Sequence, residues 1–188
     1  MYKRQIWESA CRKIREWIDK GIEPVPISVN ISREYIHTFD VVGEMLHLVN
    51  KYDIPIKLLE LEITETTDSE GVSDVVQKMK DAGFTMLMDD FGSGYSSLNM
   101  LQKTQFDVLK IDRGFLSEFM ESSRGRKIIS HTISMSRDIG LDIIAEGVET
   151  PEQASFLSDC GCDSAQGFYY SKPITQEEFD KMLVEVNK

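Results

Sequence analysis

Apolar positions recur along the chain with two alternating periods. Trp7, Ala10, Cys11, Ile14, Trp17 and Ile18 fall three and four apart, the spacing of one buried helical face, and Gly21 closes that helix. A short strand follows over 24–30, with Ile27 and Val29 on one side and Asn30 at its end. Val42, Met45, Leu46 and Val49 predict a helix near 41–49. After Pro55 the segment 58–64 alternates, Leu59, Leu61 and Ile63 facing one way and Glu60, Glu62 and Thr64 the other. The pattern repeats as a helix over 73–81 stopped by Gly83, a strand over 85–90, a short helix over 97–102, a strand over 107–112, a helix over 124–139 and a strand over 142–146. Thr150, Pro151 and Gln153 open a further helix that ends at Gly161, and a strand over 163–168 follows. Thr175 and Glu178 open the last helix, with Phe179, Met182, Leu183 and Val186 as its expected buried stripe.

Six strand-helix units in strict alternation predict an α/β fold with a parallel sheet under helical cover. Polar residues end successive strands, which favours the barrel form, whose sites lie on that face. A closed (β/α)8 TIM-type barrel has two more units. The chain is therefore read as an incomplete barrel, 6–188 forming its C-terminal part, with the missing pair expected upstream and 1–5 as a non-native leader left by sequencing. Open edges near Ile27 and Ala165 then predict aggregation or domain-swapped assembly of the isolated chain.

Charge and composition narrow the partners. With 188 residues, 41% of them hydrophobic, and no Pro/Ser-rich linker, one domain is expected. Lys and Arg number 21 against 32 Asp and Glu, a formal charge of -11 that opposes binding to DNA, RNA or anionic membranes. An anionic substrate would need cations at the site. Cys11, Cys160 and Cys162 fit neither a disulfide framework nor a CxxC metal site. No apolar stretch approaches a membrane span and no signal peptide opens the chain, so a cytoplasmic domain is expected, with membrane anchoring through regions upstream left open.

The sharpest local signal is Asp89-Asp90-Phe91-Gly92-Ser93-Gly94. Adjacent carboxylates at a strand end are costly to ionise together unless a cation lies beside them, and the glycines allow close backbone approach. A solvated acidic turn would explain this run taken alone. It loses ground because Asn30, Glu62 and Glu146 end neighbouring units. Lys110, between Leu109 and Ile111, needs an acidic partner: either a plain buried salt bridge, or a cation that holds an attacking water in a metal site. Glu146 and Gln166 each precede a glycine. Oxygen donors without a His/Cys cluster suit Mg²⁺ or Mn²⁺ better than structural zinc. His37, His47 and His131 read as packing or surface residues. A kinase is excluded because Asp90-Phe91-Gly92 has no ATP loop or His-Arg-Asp segment with it, and Gly92-Ser93-Gly94 lacks the third glycine of a dinucleotide fold.

Taken in order, Val29-Asn30-Ile31-Ser32, Glu62-Ile63-Thr64-Glu65, Asp89 to Leu98, Leu109-Lys110-Ile111-Asp112, Ala145 to Thr150 and Gln166 to Pro173 resemble the EAL-type cyclic di-GMP phosphodiesterase domain of bacterial second-messenger signalling. The resemblance covers everything after the first five residues and implies hydrolysis of cyclic di-GMP to linear pGpG with two Mg²⁺ or Mn²⁺ ions. It makes Asn30, Glu62, Asp89, Asp90 and Glu146 metal ligands, with Asp89 shared. Lys110, helped by Glu146, would hold the hydrolytic water, and Gln166 would complete the site. Glu65 would anchor the loop of Phe91, Gly92, Ser93 and Gly94, which in such domains also orders a dimer contact. Ser93 replaces the usual threonine and keeps its hydroxyl. The Glu-Ala-Leu segment that names the family, with a metal-binding glutamate and a nearby arginine, is expected upstream, together with any sensor or diguanylate cyclase domains; activity is expected of the complete parent, a homodimer, and not of the isolated chain. The alternative is a non-catalytic cyclic di-GMP receptor, disfavoured because every site position within the chain is retained.

Overall fold

The computed structural model describes residues 2–64, 71–93 and 97–186. Their strands are β1 (Ile27–Asn30), β2 (Leu59–Thr64), β3 (Thr85–Phe91), β4 (Val108–Ile111), β5 (Asp142–Ala145) and β6 (Ser164–Ala165), one parallel sheet in chain order. The helices are α1 (Tyr2–Asp19), α2 (Arg33–Thr38), α3 (Val41–Tyr52), α4 (Val72–Ala82), α5 (Ser97–Lys103), α6 (Arg113–Met120), α7 (Ser123–Asp138), α8 (Pro151–Asp159) and α9 (Gln176–Val186), with a 3₁₀ turn at Ile56–Leu58. Strand order equal to chain order, with helical crossovers, is the connectivity of a barrel wall. The expected incomplete TIM-type barrel is what the chain forms.

Alternation along each strand divides the interior into two layers. Leu59, Leu61 and Ile63 of β2, Met86 and Met88 of β3 and Leu109 of β4 are buried against the helices in one core. A second core joins Ile111, Ile143 and Ala145 to Leu116 and Met120 of α6, Ile129 and Ile133 of α7, and Leu157 of α8. The intervening residues, Glu60 and Glu62, Leu87 and Asp89, Val108 and Lys110, take the other face. Carboxylates and an ammonium are thus confined to the concave side, while the convex side packs as hydrocarbon.

Short polar side chains set the element boundaries. Asp112 caps α6 by accepting from Gly114 N at 2.7 Å and Phe115 N at 3.3 Å, and Thr150 with Gln153 forms the capping box that opens α8. Two aspartates before strands repeat one device: Asp107 accepts from Met86 N at 2.8 Å and Asp163 from Ile143 N at 2.9 Å. Each ties the start of one strand to its neighbour at the end of the sheet away from the functional residues.

The last helix departs from expectation. Of the predicted stripe only Leu183 is buried, while Phe179, Met182 and Val186 are exposed. The anchor of α9 is instead polar and directed at α1: Asp180 accepts from Trp17 Nε1 at 2.8 Å and pairs with the buried Lys13 at 2.6 Å, and the Trp17 and Phe179 rings lie 5.9 Å apart. First and last helices therefore meet, as an arc of strands that curls toward closure requires. Helices α2 and α6 were not expected from periodicity, because each is too short to display a full apolar repeat. Strand β6 is shorter than the predicted 163–168, and residues 2–5 continue α1, with Arg4 paired to Glu44 at 2.5 Å.

Candidate active site

The C-terminal ends of the strands bring the polar residues to one mouth. Parallel pairing places Asn30 of β1 opposite Glu62 of β2, and Asn30 Nδ2 donates to Glu62 Oε2 at 3.3 Å. At the centre stands Lys110, with Nζ 2.9 Å from Glu62 Oε1, 2.9 Å from Asp89 Oδ1 and 2.7 Å from Glu146 Oε1. Gln166 Nε2 donates to the same Glu146 oxygen at 2.6 Å. All six strands, or the residues directly after them, thus contribute to one hydrogen-bonded and ion-paired group around a buried ammonium, and β3 supplies two carboxylates rather than one.

That doubling needs a backbone irregularity. Neighbouring residues of a regular strand point to opposite faces, so Asp89 and Asp90 would be separated by the sheet. The register between β3 and β4 slips between Met88 and Phe91, and Asp90 adopts φ 60°, a left-handed conformation that aspartate tolerates better than most residues. The bulge brings carboxylate oxygens of Asp89, Asp90 and Glu146 within 4.8 Å of one another. Gly92, at φ 96°, continues the turn, and its bare Cα lies where a Cβ would strike the Phe115 ring. Phe91 is buried and meets Phe115 edge-on at 6.0 Å, and Ser93 is exposed. Glu65 and Gly94 lie outside the described residues.

Charge in this mouth is unbalanced. Three carboxylates pair with one ammonium, Asp90 adds a fourth beside Asp89 and Glu146, and Glu60 a fifth, half-buried, on the same face. Burial, with Asp89 adding repulsion, raises the Asp90 carboxyl above its ordinary value; burial likewise raises Glu146, against the opposing pull of Lys110. For Lys110 burial acts downward, yet its ion pairs with Glu146, Glu62 and Asp89 outweigh it and hold the ammonium firmly protonated. Asp89 Oδ1 is sealed from solvent and, although 2.9 Å from Lys110 Nζ, lacks hydrogen-bond geometry. A buried anionic oxygen without a hydrogen bond, beside two further carboxylates, is the donor chemistry of a hard divalent cation.

The sign of the raised values gives a measurable consequence. A carboxyl raised in the folded chain keeps protons that the unfolded chain would release, so its ionisation costs stability at neutral pH, and that cost is relieved as pH falls through the raised value. A divalent cation relieves the same cost by displacing the proton. Calorimetric titration with Mn²⁺ in buffers of different ionisation enthalpy is expected to show proton release that is larger at about pH 5 than at about pH 7. Binding without proton release at the lower pH would contradict the assignment of Asp90 and Glu146 to the cation.

Sequence reasoning did not single out Arg113, which pairs with Glu149 at 2.6 Å on the rim. Its only signal is its place, just beyond β4. A cleft of about 530 Å³ adjoins this rim and is lined by Glu146, Gln166, Arg113 and Phe168. A larger groove of about 1350 Å³ is lined by Phe91, Gly92 and Ser93, which follow Asp90, with Phe115 and Phe119 of α6 and Ile128 of α7.

Comparison with known proteins adds to this geometry. Residues 2–173 match the family model described as EAL domain. The signaling protein YkoW of Bacillus subtilis is 34% identical over 183 residues, 96% of this chain and 23% of YkoW. The bifunctional diguanylate cyclase/cyclic di-GMP phosphodiesterase MucR of Pseudomonas aeruginosa is 35% identical over 176 residues, 92% of this chain and 26% of MucR. The chain thus spans about a quarter of the length of these relatives. Among solved structures, the EAL domain of Mycobacterium smegmatis DcpA superposes with a TM-score of 0.90 at 32% identity, covering 97% of this chain and 83% of that one. The MucR phosphodiesterase in complex with cyclic di-GMP gives 0.85 at 34% identity, covering 94% and 72%.

Proposed function

The chain belongs to the EAL domain family, and from that membership we propose that its strand ends form the mouth of a phosphodiesterase that hydrolyses cyclic di-GMP to linear pGpG with two Mg²⁺ or Mn²⁺ ions. The observation that carries this reading is Lys110 encircled at under 3 Å by Glu62, Asp89 and Glu146, with Asp90 brought into the group by a bulge. One ammonium offsets one of these negative charges. A surplus of carboxylates held at a barrel mouth supports cation binding instead.

In this reading Asn30, Glu62, Asp89, Asp90 and Glu146 would hold the ions, with Asp89 proposed as shared. When bound, the ions supply Lewis-acid activation of water and offset charge on the phosphodiester oxygens. Lys110 would donate a hydrogen bond to the attacking water and so hold it beside the carboxylates. Glu146, its carboxyl raised by burial, accepts the proton that the water gives up. Gln166 orients Glu146 through its 2.6 Å bond, and Asn30 steadies Glu62. Glu65 is assigned to anchor the loop that follows Asp90, to which Gly94 belongs, and the protein is proposed to act in the cytoplasm as a homodimer. Among the described residues no helix is long and apolar enough to cross a membrane.

The test is incubation of the chain, alone and fused behind the Glu-Ala-Leu segment expected of the EAL family, with cyclic di-GMP and Mn²⁺, followed by chromatography. The fusion is expected to release pGpG, and EDTA to stop it. Tight binding without product would establish a receptor; neither binding nor product would remove cyclic di-GMP from consideration.

A further inference from the structure

Building on the phosphodiesterase reading, we propose that Arg113 is a positioning residue: through its ion pair with Glu149 it clasps the β5–α8 loop and thereby sets Glu146 against Lys110. The β4–α6 junction and the β5–α8 loop are joined twice. On the inside, Lys110 of β4 meets Glu146, the residue after β5, at 2.7 Å. On the outside, Arg113 at the start of α6 meets Glu149, just before the α8 cap, at 2.6 Å. The sequence separation is three residues on both sides, so the pairs form two rungs between the same loops.

Gly147 lies between the rungs. It has φ 67°, and a Cβ on it would overlap the Arg113 side-chain stem, so the stem lies directly on the backbone that follows Glu146. The opposite side of the loop is equally constrained. Val148 is fully buried, its N–H donates to Gln166 O at 3.0 Å, and its carbonyl accepts from Tyr169 N at 3.0 Å. Glu149 N donates to Gln153 Oε1 at 2.7 Å, which joins the outer rung to the α8 capping box. An outward shift of Glu146 must therefore displace Arg113, and a sideways shift must break the Val148 bonds.

The energetics separate positioning from stability. The Arg113 and Glu149 side chains retain 64% and 42% of their exposure, a setting in which an ion pair adds little to folding. Its effect is geometric: it restricts one rigid loop at a site where small displacements of a carboxylate matter.

The experiment compares Arg113→Ala, Arg113→Lys and Glu149→Gln in the full chain. Hydrogen exchange at the Val148 amide is expected to quicken about tenfold in Arg113→Ala and in Glu149→Gln, with that of Leu61 in β2 unchanged. Mn²⁺ affinity is expected to fall about fivefold in both, the melting temperature to stay within about 2 °C, and Arg113→Lys to recover most of each effect because it keeps stem and charge. The double variant is expected to be no worse than either single one. Unchanged exchange at Val148, or additive effects in the double variant, would overturn the clasp. If the wild-type chain binds no Mn²⁺, the phosphodiesterase reading fails while the exchange data still decide the clasp.

Discussion

Lys110→Met is expected to destabilise the cation-free chain by about 3–5 kcal/mol, the cost typical of stranding buried charges by removing their partner. The ammonium is the counter-charge common to Glu62, Asp89 and Glu146, each within 3 Å, and its side chain is only 9% exposed. Methionine fills a similar volume without the charge, so the loss is electrostatic rather than a cavity. Two further outcomes identify the cause. Deprived of Lys110, Glu146 keeps the burial that raises its carboxyl and loses the opposing pull, and the cost of ionising it is relieved as pH falls through the raised value; the deficit should shrink as pH falls below neutral. Millimolar Mg²⁺ should recover part of it at neutral pH by replacing the lost positive charge. Urea denaturation with and without Mg²⁺ measures both. A variant as stable as wild type in EDTA would show that the carboxylates do not depend on Lys110.

Asp89→Asn tests the other side of the same balance. Asparagine keeps the shape and the bulge but removes one negative charge from a surplus, so the cation-free chain is expected to change by less than about 1 kcal/mol, while Lys110 retains Glu62 and Glu146. Mn²⁺ affinity is expected to fall about 100-fold, equivalent to about 2.7 kcal/mol, because Asp89 supplies a sealed oxygen 2.9 Å from Lys110 and a carboxylate oxygen within 4.8 Å of those of Asp90 and Glu146. A complete domain carrying the change should lose turnover by a larger factor than it loses binding of cyclic di-GMP. Calorimetry decides the first claim and steady-state kinetics the second. Undiminished Mn²⁺ binding would remove Asp89 from the ligand set. The two substitutions thus move stability and cation affinity in opposite proportion, which a purely structural salt-bridge cluster would not do.

Alternation of Leu and Glu along β2, and the apolar spacing of Trp7 to Trp17, were sufficient to predict strand and helix there, because burial on one side imposes a period on the residues themselves. The capping pair Thr150 and Gln153 likewise marked the start of α8 from local chemistry alone. Convergence of Asn30, Glu62, Asp89, Lys110, Glu146 and Gln166 was inferable too, since each lies at or near the C-terminal end of a strand and parallel strands ending on one side must share a face. Three features were decided only by the packed molecule. The slip between Met88 and Phe91 that turns Asp90 into the mouth depends on how β3 pairs with β4, a relation between strands that neither contains. The exposure of Phe179 and Met182 follows from the polar anchoring of α9 on Lys13 and Trp17, across more than 160 residues. The Arg113–Glu149 rung joins two surface residues whose partnership has no local pattern. Short-range periodicity is written by burial, residue by residue; bulges, docking angles and rim contacts are set by the distances between elements, which exist only once the sheet has curled.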